Sequence, residues 1–152
     1  MPMIATQTRF GRIGIEETDG AITRVVWDGE DHGSPTPLLR EAARQLRDYD
    51  AGGRTAFDLP FAVQGSDFQK AVCTAMLAIP FGETRTYGEI SKALGKSAQA
   101  VGTACGGNPI PILIPCHRVM GAGGKLTGFS GKGGVETKIA LLRHEGAASL
   151  LI

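Results

Sequence analysis

Long apolar runs are missing from this chain. No stretch approaches the roughly 20 residues that a membrane-spanning helix needs, so no membrane is expected as a partner. Aromatic residues make up only 6%, lysine is absent from the first sixty positions, and there are three cysteines. An odd cysteine count argues against a secreted disulfide framework, and the opening residues, MPMIATQTRFGR, lack the apolar core of an export signal. The expectation is a cytoplasmic protein. Cys73, Cys105 and Cys116 are separated by 32 and 11 residues, which is not a zinc pattern. No G-x-x-x-x-G-K-[ST] phosphate loop is present, and no repeat or low-complexity tract is visible. What remains is a globular chain of 152 residues, 42% hydrophobic and 20% charged. A chain of this length buries about 70% of its unfolded surface, enough for a core without staples.

Charge is unevenly placed. Up to Pro60, seven arginines face ten acids, a net of −3; beyond it, nine lysines and arginines face five acids, a net of +4. The second segment can therefore meet a polyanion.

The patterns predict an α+β chain with a small strand-rich N-terminal domain (1–60) and a mainly helical C-terminal domain (61–152). Ile4 to Gln7, Gly11 to Glu16 and Ile22 to Trp27 read as strands, with Asp19-Gly20 as a hairpin turn. Thr36-Pro37 opens a helix with Leu38, Ala42, Leu46 and Tyr49 as its apolar stripe, stopped at Gly52-Gly53. Phe57 to Val63 reads as an extended connector. Ser66-x-x-Gln69 and Thr86-x-x-Glu89 are capping boxes, and Ser97 can cap a further helix reaching about Gly106. The helices around Gly95 fit a helix-turn-helix or an ordinary helical hairpin. Three prolines between Asn108 and Pro115 forbid a helix and predict a buried extended segment leading to Cys116. Gly128 to Gly134 form a glycine-rich loop, a lid or simply a loop. The last helix carries Val135, Ile139 and Leu142 and stops near Gly146.

Cys116 is the most informative residue. Held between Pro115 and His117, it can serve as a nucleophile whose proton His117 removes, or as a small buried hydrophobe. Glu145 can orient His117 or sit solvated at a helix end, where the dipole disfavours it. Tyr87 can be a proton donor or a half-buried ring. Cys73 and Cys105 read as packing residues, and His32 as a solvated side chain. The small-residue helix Ala98 to Gly106 suits close packing or entry into a narrow groove.

The segment NPIPILIPCHRV (108–119) resembles the active-site signature of the O6-alkylguanine-DNA alkyltransferases, or methylated-DNA–protein-cysteine methyltransferases. The resemblance runs from about Gly65 to Gly146, through FQKAVCTAMLAIPFGETRTYGEI, AVGTACGGNP, GKLTGFSG and LLRHEG. It implies irreversible, single-turnover transfer of an alkyl group from O6-alkylguanine in double-stranded DNA to Cys116. His117 would act through a water, Glu145 would polarise it, Asn108 would hold the network, and Tyr87 would share a proton with N3 of the guanine. The backbone of Cys116 and Val119 would recognise the exocyclic amine, and Ser130 would contact O6. Ala98, Gln99, Ala100, Gly102, Thr103 and Arg118 would contact DNA, with the recognition helix in the minor groove. Gln99 departs from the family, which usually carries an arginine there. No cofactor and no metal are implied, and the protein is expected to be monomeric. Two other classes stand beside this reading. One is a non-catalytic alkylated-DNA-binding module, which the presence of Cys116 argues against; the other is a Cys-His hydrolase.

Overall fold

The computed structural model describes residues 1–126 and 133–147. The chain is α+β and divides into two compact units, Met1–Gln64 and Gly65–Ile152. In the first unit, β1 (Met3–Thr8), β2 (Gly11–Thr18) and β3 (Ala21–Trp27) form an antiparallel sheet in the order β1-β2-β3. The β2–β3 turn puts Asp19 at φ 50° and Gly20 at φ 81°. Two positive-φ residues in a two-residue loop match the right-handed twist of the strands. The connector belongs to this unit because it joins β3: Ile22 donates to the Pro60 carbonyl at 2.8 Å and Ala62 donates to that of Ile22 at 2.9 Å.

α1 (Pro37–Asp50) begins as its cap residue predicts, with Thr36 accepting from the Leu39 amide at 3.1 Å. Its buried face is Leu39, Ala42, Ala43, Gln45, Leu46 and Tyr49. Leu38 lies at the edge of that stripe and stays half-exposed, and Leu39 takes the core position expected of it. Ile13, Ile15, Ile22, Leu39, Leu46 and Tyr49 are fully buried, so the sheet and helix share one apolar interior.

The second unit begins with α2 (Asp67–Leu77), followed by β4 (Arg85–Thr86), α3 (Tyr87–Leu94) and α4 (Ala98–Gly106). Ser66 caps α2 by accepting from the Gln69 amide at 3.1 Å. The reciprocal half of that box is replaced: the Gln69 side chain donates from Nε2 to the Ala104 carbonyl at 2.8 Å and ties α2 to α4. The Thr86–Glu89 box closes in both directions. Gly95 ends α3 in the left-handed region, and Ser97 caps α4 two residues later. α3 and α4 pack together across this turn, the arrangement of a helix-turn-helix.

Beyond α4, a 3₁₀ turn (Cys116–Arg118) leads into β5 (Val119–Met120), which pairs in parallel with β4. Thr86 pairs with Met120, so Tyr87 starts its helix one residue past this ladder. α5 (Val135–His144) closes the unit. Its inward face differs from the expected stripe: Val135 is 42% exposed, and the buried positions are Lys138, Leu141, Leu142 and, just past the helix, Glu145. That set keeps helical spacing, with a cation at one end and an anion at the other.

Candidate active site

The approach to Cys116 is a tight buried turn, which corrects the expected extended segment. Prolines at 109, 111 and 115 remove donors, and the remaining amides are satisfied locally. Ile110 donates to Asn108 Oδ1 at 3.0 Å. Leu113 donates to the Pro111 carbonyl at 2.8 Å, Ile114 to Ile110 at 2.9 Å, and Cys116 to Ile114 at 2.8 Å. The Pro111–Leu113 bond closes around Ile112 at φ 70°, a conformation that is strained for a β-branched residue. The Ile114–Cys116 bond closes around Pro115 at φ −82°, ψ 68°, the shape of an inverse γ-turn. Asn108 completes the clamp by donating from Nδ2 to the Ile114 carbonyl at 2.9 Å. The cysteine backbone is therefore fixed before any ligand arrives.

Cys116 retains partial exposure. Burial of its surroundings pushes the thiol pKa up, while a hydrogen bond from Asn108 and the charge of Lys138 pull the other way. The resting group is a thiol, and it needs a base.

His117 is fully buried, with Nε2 2.7 Å from Glu145 Oε2. Burial alone would raise the carboxyl pKa of Glu145, but hydrogen bonds from His117 and Arg118 hold it at about 2. An ionised carboxylate only accepts, so the proton of the neutral imidazole sits on Nε2 and the lone pair on Nδ1. Nδ1 has no hydrogen-bond partner among the described residues. Burial lowers the His117 pKa against the pull of Glu145, so near neutrality the ring is a neutral base with one open nitrogen.

Arg118 was expected at the DNA, and the structure puts it elsewhere. It is 7% exposed. Its Nε donates to Glu145 Oε1 at 2.7 Å, Nη2 to Oε2 at 3.0 Å, and Nη1 to the Ile79 carbonyl at 2.7 Å. A guanidinium committed in this way holds the interior together. Val119 is also buried, and its carbonyl accepts from Lys138 Nζ at 2.6 Å. Sequence reasoning missed Lys138; its i, i+3, i+4 relation to Leu141 and Leu142 was the available signal. Burial draws the Lys138 ammonium down to about 8, with Cys116 and Cys105 opposing that shift. Cys105 is itself pushed up to about 12, chiefly by burial.

Tyr87 is half-buried at the start of α3. On α4, Ala98, Gln99 and Thr103 are exposed, Ala100 and Gly102 are half-buried, and Val101, Ala104 and Cys105 face inward. Gln99, Ala100 and Thr103 line a cavity of about 620 Å³ shared with Ser66, Phe68 and Gln69 at the start of α2. Ser130 lies outside the described residues.

Residues 67–147 match the family model described as the DNA-binding domain of 6-O-methylguanine DNA methyltransferase. The Methanosarcina acetivorans methylated-DNA–protein-cysteine methyltransferase is 53% identical over 112 residues, covering 72% of this chain and 70% of that protein. The chain belongs to the methylated-DNA–protein-cysteine methyltransferase family. The constitutive Bacillus subtilis member is 40% identical over 152 aligned residues, covering 91% of this chain and 92% of its own. The crystal structure of Mycobacterium tuberculosis OGT in complex with DNA superposes with a TM-score of 0.83 at 39% identity, covering 97% and 98% of the two chains. The likeness to this family thus extends over the strand-rich first unit as well as the helical second one.

Proposed function

We propose that this chain repairs DNA by taking the alkyl group from O6-alkylguanine onto its own Cys116, once per molecule. The Cys116 proton passes through a water to His117 Nδ1 as sulfur attacks the alkyl carbon. A carbon–sulfur bond forms and the carbon–O6 bond breaks, with its electron pair leaving on the guanine. Tyr87 offers a proton at N3 and is restored by the proton released from the thiol, so a neutral guanine departs. The product thioether is stable, and no group described around Cys116 has the chemistry to reverse it. The observation that carries the reading is the state of His117. Its Nε2 is committed to Glu145 and its Nδ1 is open, next in the chain to a thiol that needs a base.

A guanine stacked in a duplex is out of reach, so the alkylated nucleotide is turned out of the helix at a cost of a few kcal/mol. We assign α4 to the minor groove, with Ala98, Gln99, Ala100, Gly102 and Thr103 as its contacts. The slim side chains of this helix let backbone approach DNA closely. Gln99 replaces the usual charged wedge with a neutral side chain that can still hydrogen-bond to bases. The Cys116 and Val119 backbone would receive the exocyclic amine, with Asn108 holding the turn and Ser130 at O6. The reading places a monomer in the cytoplasm. Incubation with an oligonucleotide bearing O6-methylguanine tests it by intact mass. An increase of about 14 Da mapped to Cys116, and absent from Cys116→Ser, is the expected result for an accepted methyl group. An unmodified wild-type protein, or a methyl group on another residue, would overturn it.

A further inference from the structure

Arg118 and His117 share one carboxylate. Glu145 Oε2 accepts from His117 Nε2 at 2.7 Å and from Arg118 Nη2 at 3.0 Å, while Oε1 takes Arg118 Nε at 2.7 Å. The guanidinium is anchored at its far side by the Ile79 carbonyl at 2.7 Å, and its carbon lies 5.9 Å from the centre of the Phe81 ring. Gly82, at φ 84°, lets this loop pass the end of α5, because a Cβ there would meet the Glu145 carbonyl oxygen at 3.2 Å.

A lone carboxylate beside an imidazole draws a proton onto it. The imidazolium that results has no lone pair and cannot accept the thiol proton. We propose that Arg118 is a positioning residue for alkyl transfer: it holds the Glu145 carboxylate on His117 Nε2 and balances its charge, leaving the imidazole neutral with its Nδ1 lone pair open. This rests on the reading of Cys116 as the acceptor. The other groups that act on His117 fit the same scheme. Lys138, from α5, also disfavours a charged imidazole, and Glu145 opposes both cations. α2 contributes the Cys73 thiol near Asn108, which burial keeps protonated.

The test compares Arg118→Gln, which keeps a hydrogen-bonding head without charge, with Arg118→Lys, which keeps charge without the fork. Nitrogen NMR follows the His117 ring, and single-turnover transfer from an alkylated oligonucleotide is timed across pH. Arg118→Gln should raise the His117 midpoint by about one unit and slow transfer about tenfold on the acid side, with recovery at alkaline pH. Arg118→Lys should leave the midpoint near its original place and restore the acid limb. An unmoved His117 midpoint in Arg118→Gln, or a rate loss equal at every pH, would overturn the proposal. Should the variants not fold, the wild-type ring decides: a neutral Nε2–H tautomer at pH 7 supports it, and an imidazolium refutes it. A wild type that moves no alkyl group while the His117 shift persists would sink the acceptor reading and still uphold the hold of Arg118 on His117.

Discussion

Two glutamates show how differently the two units use charge. Glu41 on α1 and Glu145 after α5 both have carboxyl groups held at about 2. Glu41 is a surface group whose side chain is 42% exposed, with Arg44 at 2.6 Å and the Gln45 amide at 2.7 Å. Glu145 is 3% exposed and joins two other buried groups, His117 and Arg118. Among the described residues, every buried Lys, Arg, His, Asp or Glu side chain lies in the second unit, whereas the polar side chains buried in the first are threonines, one glutamine and the Tyr49 phenol. The first unit is an ordinary apolar interior. The second places cations, an anion and an imidazole out of water near Cys116, an arrangement that stability alone does not favour and that marks this unit as the place of the candidate site.

The largest break in this comparison comes from Glu145→Gln. Removing the anion leaves Arg118 buried without its counter-charge, which costs about 3 kcal/mol at neutral pH. Transfer should fall with it, since His117 loses the group that fixes its tautomer. The carboxyl is depressed in the folded state, so its contribution is present above about 4.5 and is lost as pH falls towards about 2. Urea unfolding at several acid pH values should show this dependence in the wild type and a much flatter one in the variant. Equal acid sensitivity of the two proteins would mean that the triad contributes nothing to folding.

Lys138→Met should act more gently and with the opposite pH sense. The ammonium is depressed to about 8 from 10.5, so the unfolded chain holds its proton more tightly. Burying this cation therefore costs stability below about 8, and the cost is relieved as pH rises towards 10.5. Methionine removes that cost but leaves the Val119 carbonyl unpaired, so the variant should lie within about 1 kcal/mol of wild type at neutral pH. The wild type should gain on it through the alkaline window. Transfer should slow in the variant because the developing thiolate loses a cation. Parallel unfolding curves at pH 7 and pH 9.5, with no change in their separation, would contradict this.

Much of this contrast was legible in the sequence, and the exceptions share a cause. Thr36, Ser66, Thr86 and Ser97 marked four helix starts, Asp19-Gly20 marked the hairpin, and Cys116-His117 with Glu145 marked the candidate site, where His117 and Glu145 do meet. These are local signals, made by residues acting on backbone a few positions away. Arg118 and Lys138 escaped because buried charge obeys partners far off in the chain; on a short helix, a cation in the apolar stripe looks like an edge residue. The turn before Cys116 was hidden for another reason. Ile112 stands at φ 70°, where glycine or asparagine would have announced the bend, and only the surrounding clamp holds it there.

The smallest effect sharpens the comparison from the other side. Glu41→Gln removes a carboxyl as depressed as that of Glu145, but Glu41 stands in solvent with Arg44 one turn along the same helix. Arg44 keeps a second partner, Asp48 at 2.8 Å, and water solvates whatever the substitution leaves exposed. Stability should change little, the change should shrink further in high salt, and alkyl transfer should not move. Urea midpoints of Glu41→Gln and Glu145→Gln, measured at low and high salt, therefore separate the two carboxylates: salt should alter the first difference and leave the second nearly intact. If salt weakened both alike, water would be reaching the Glu145–Arg118 pair, and the distinction between a surface pair in the first unit and an enclosed one in the second would fall.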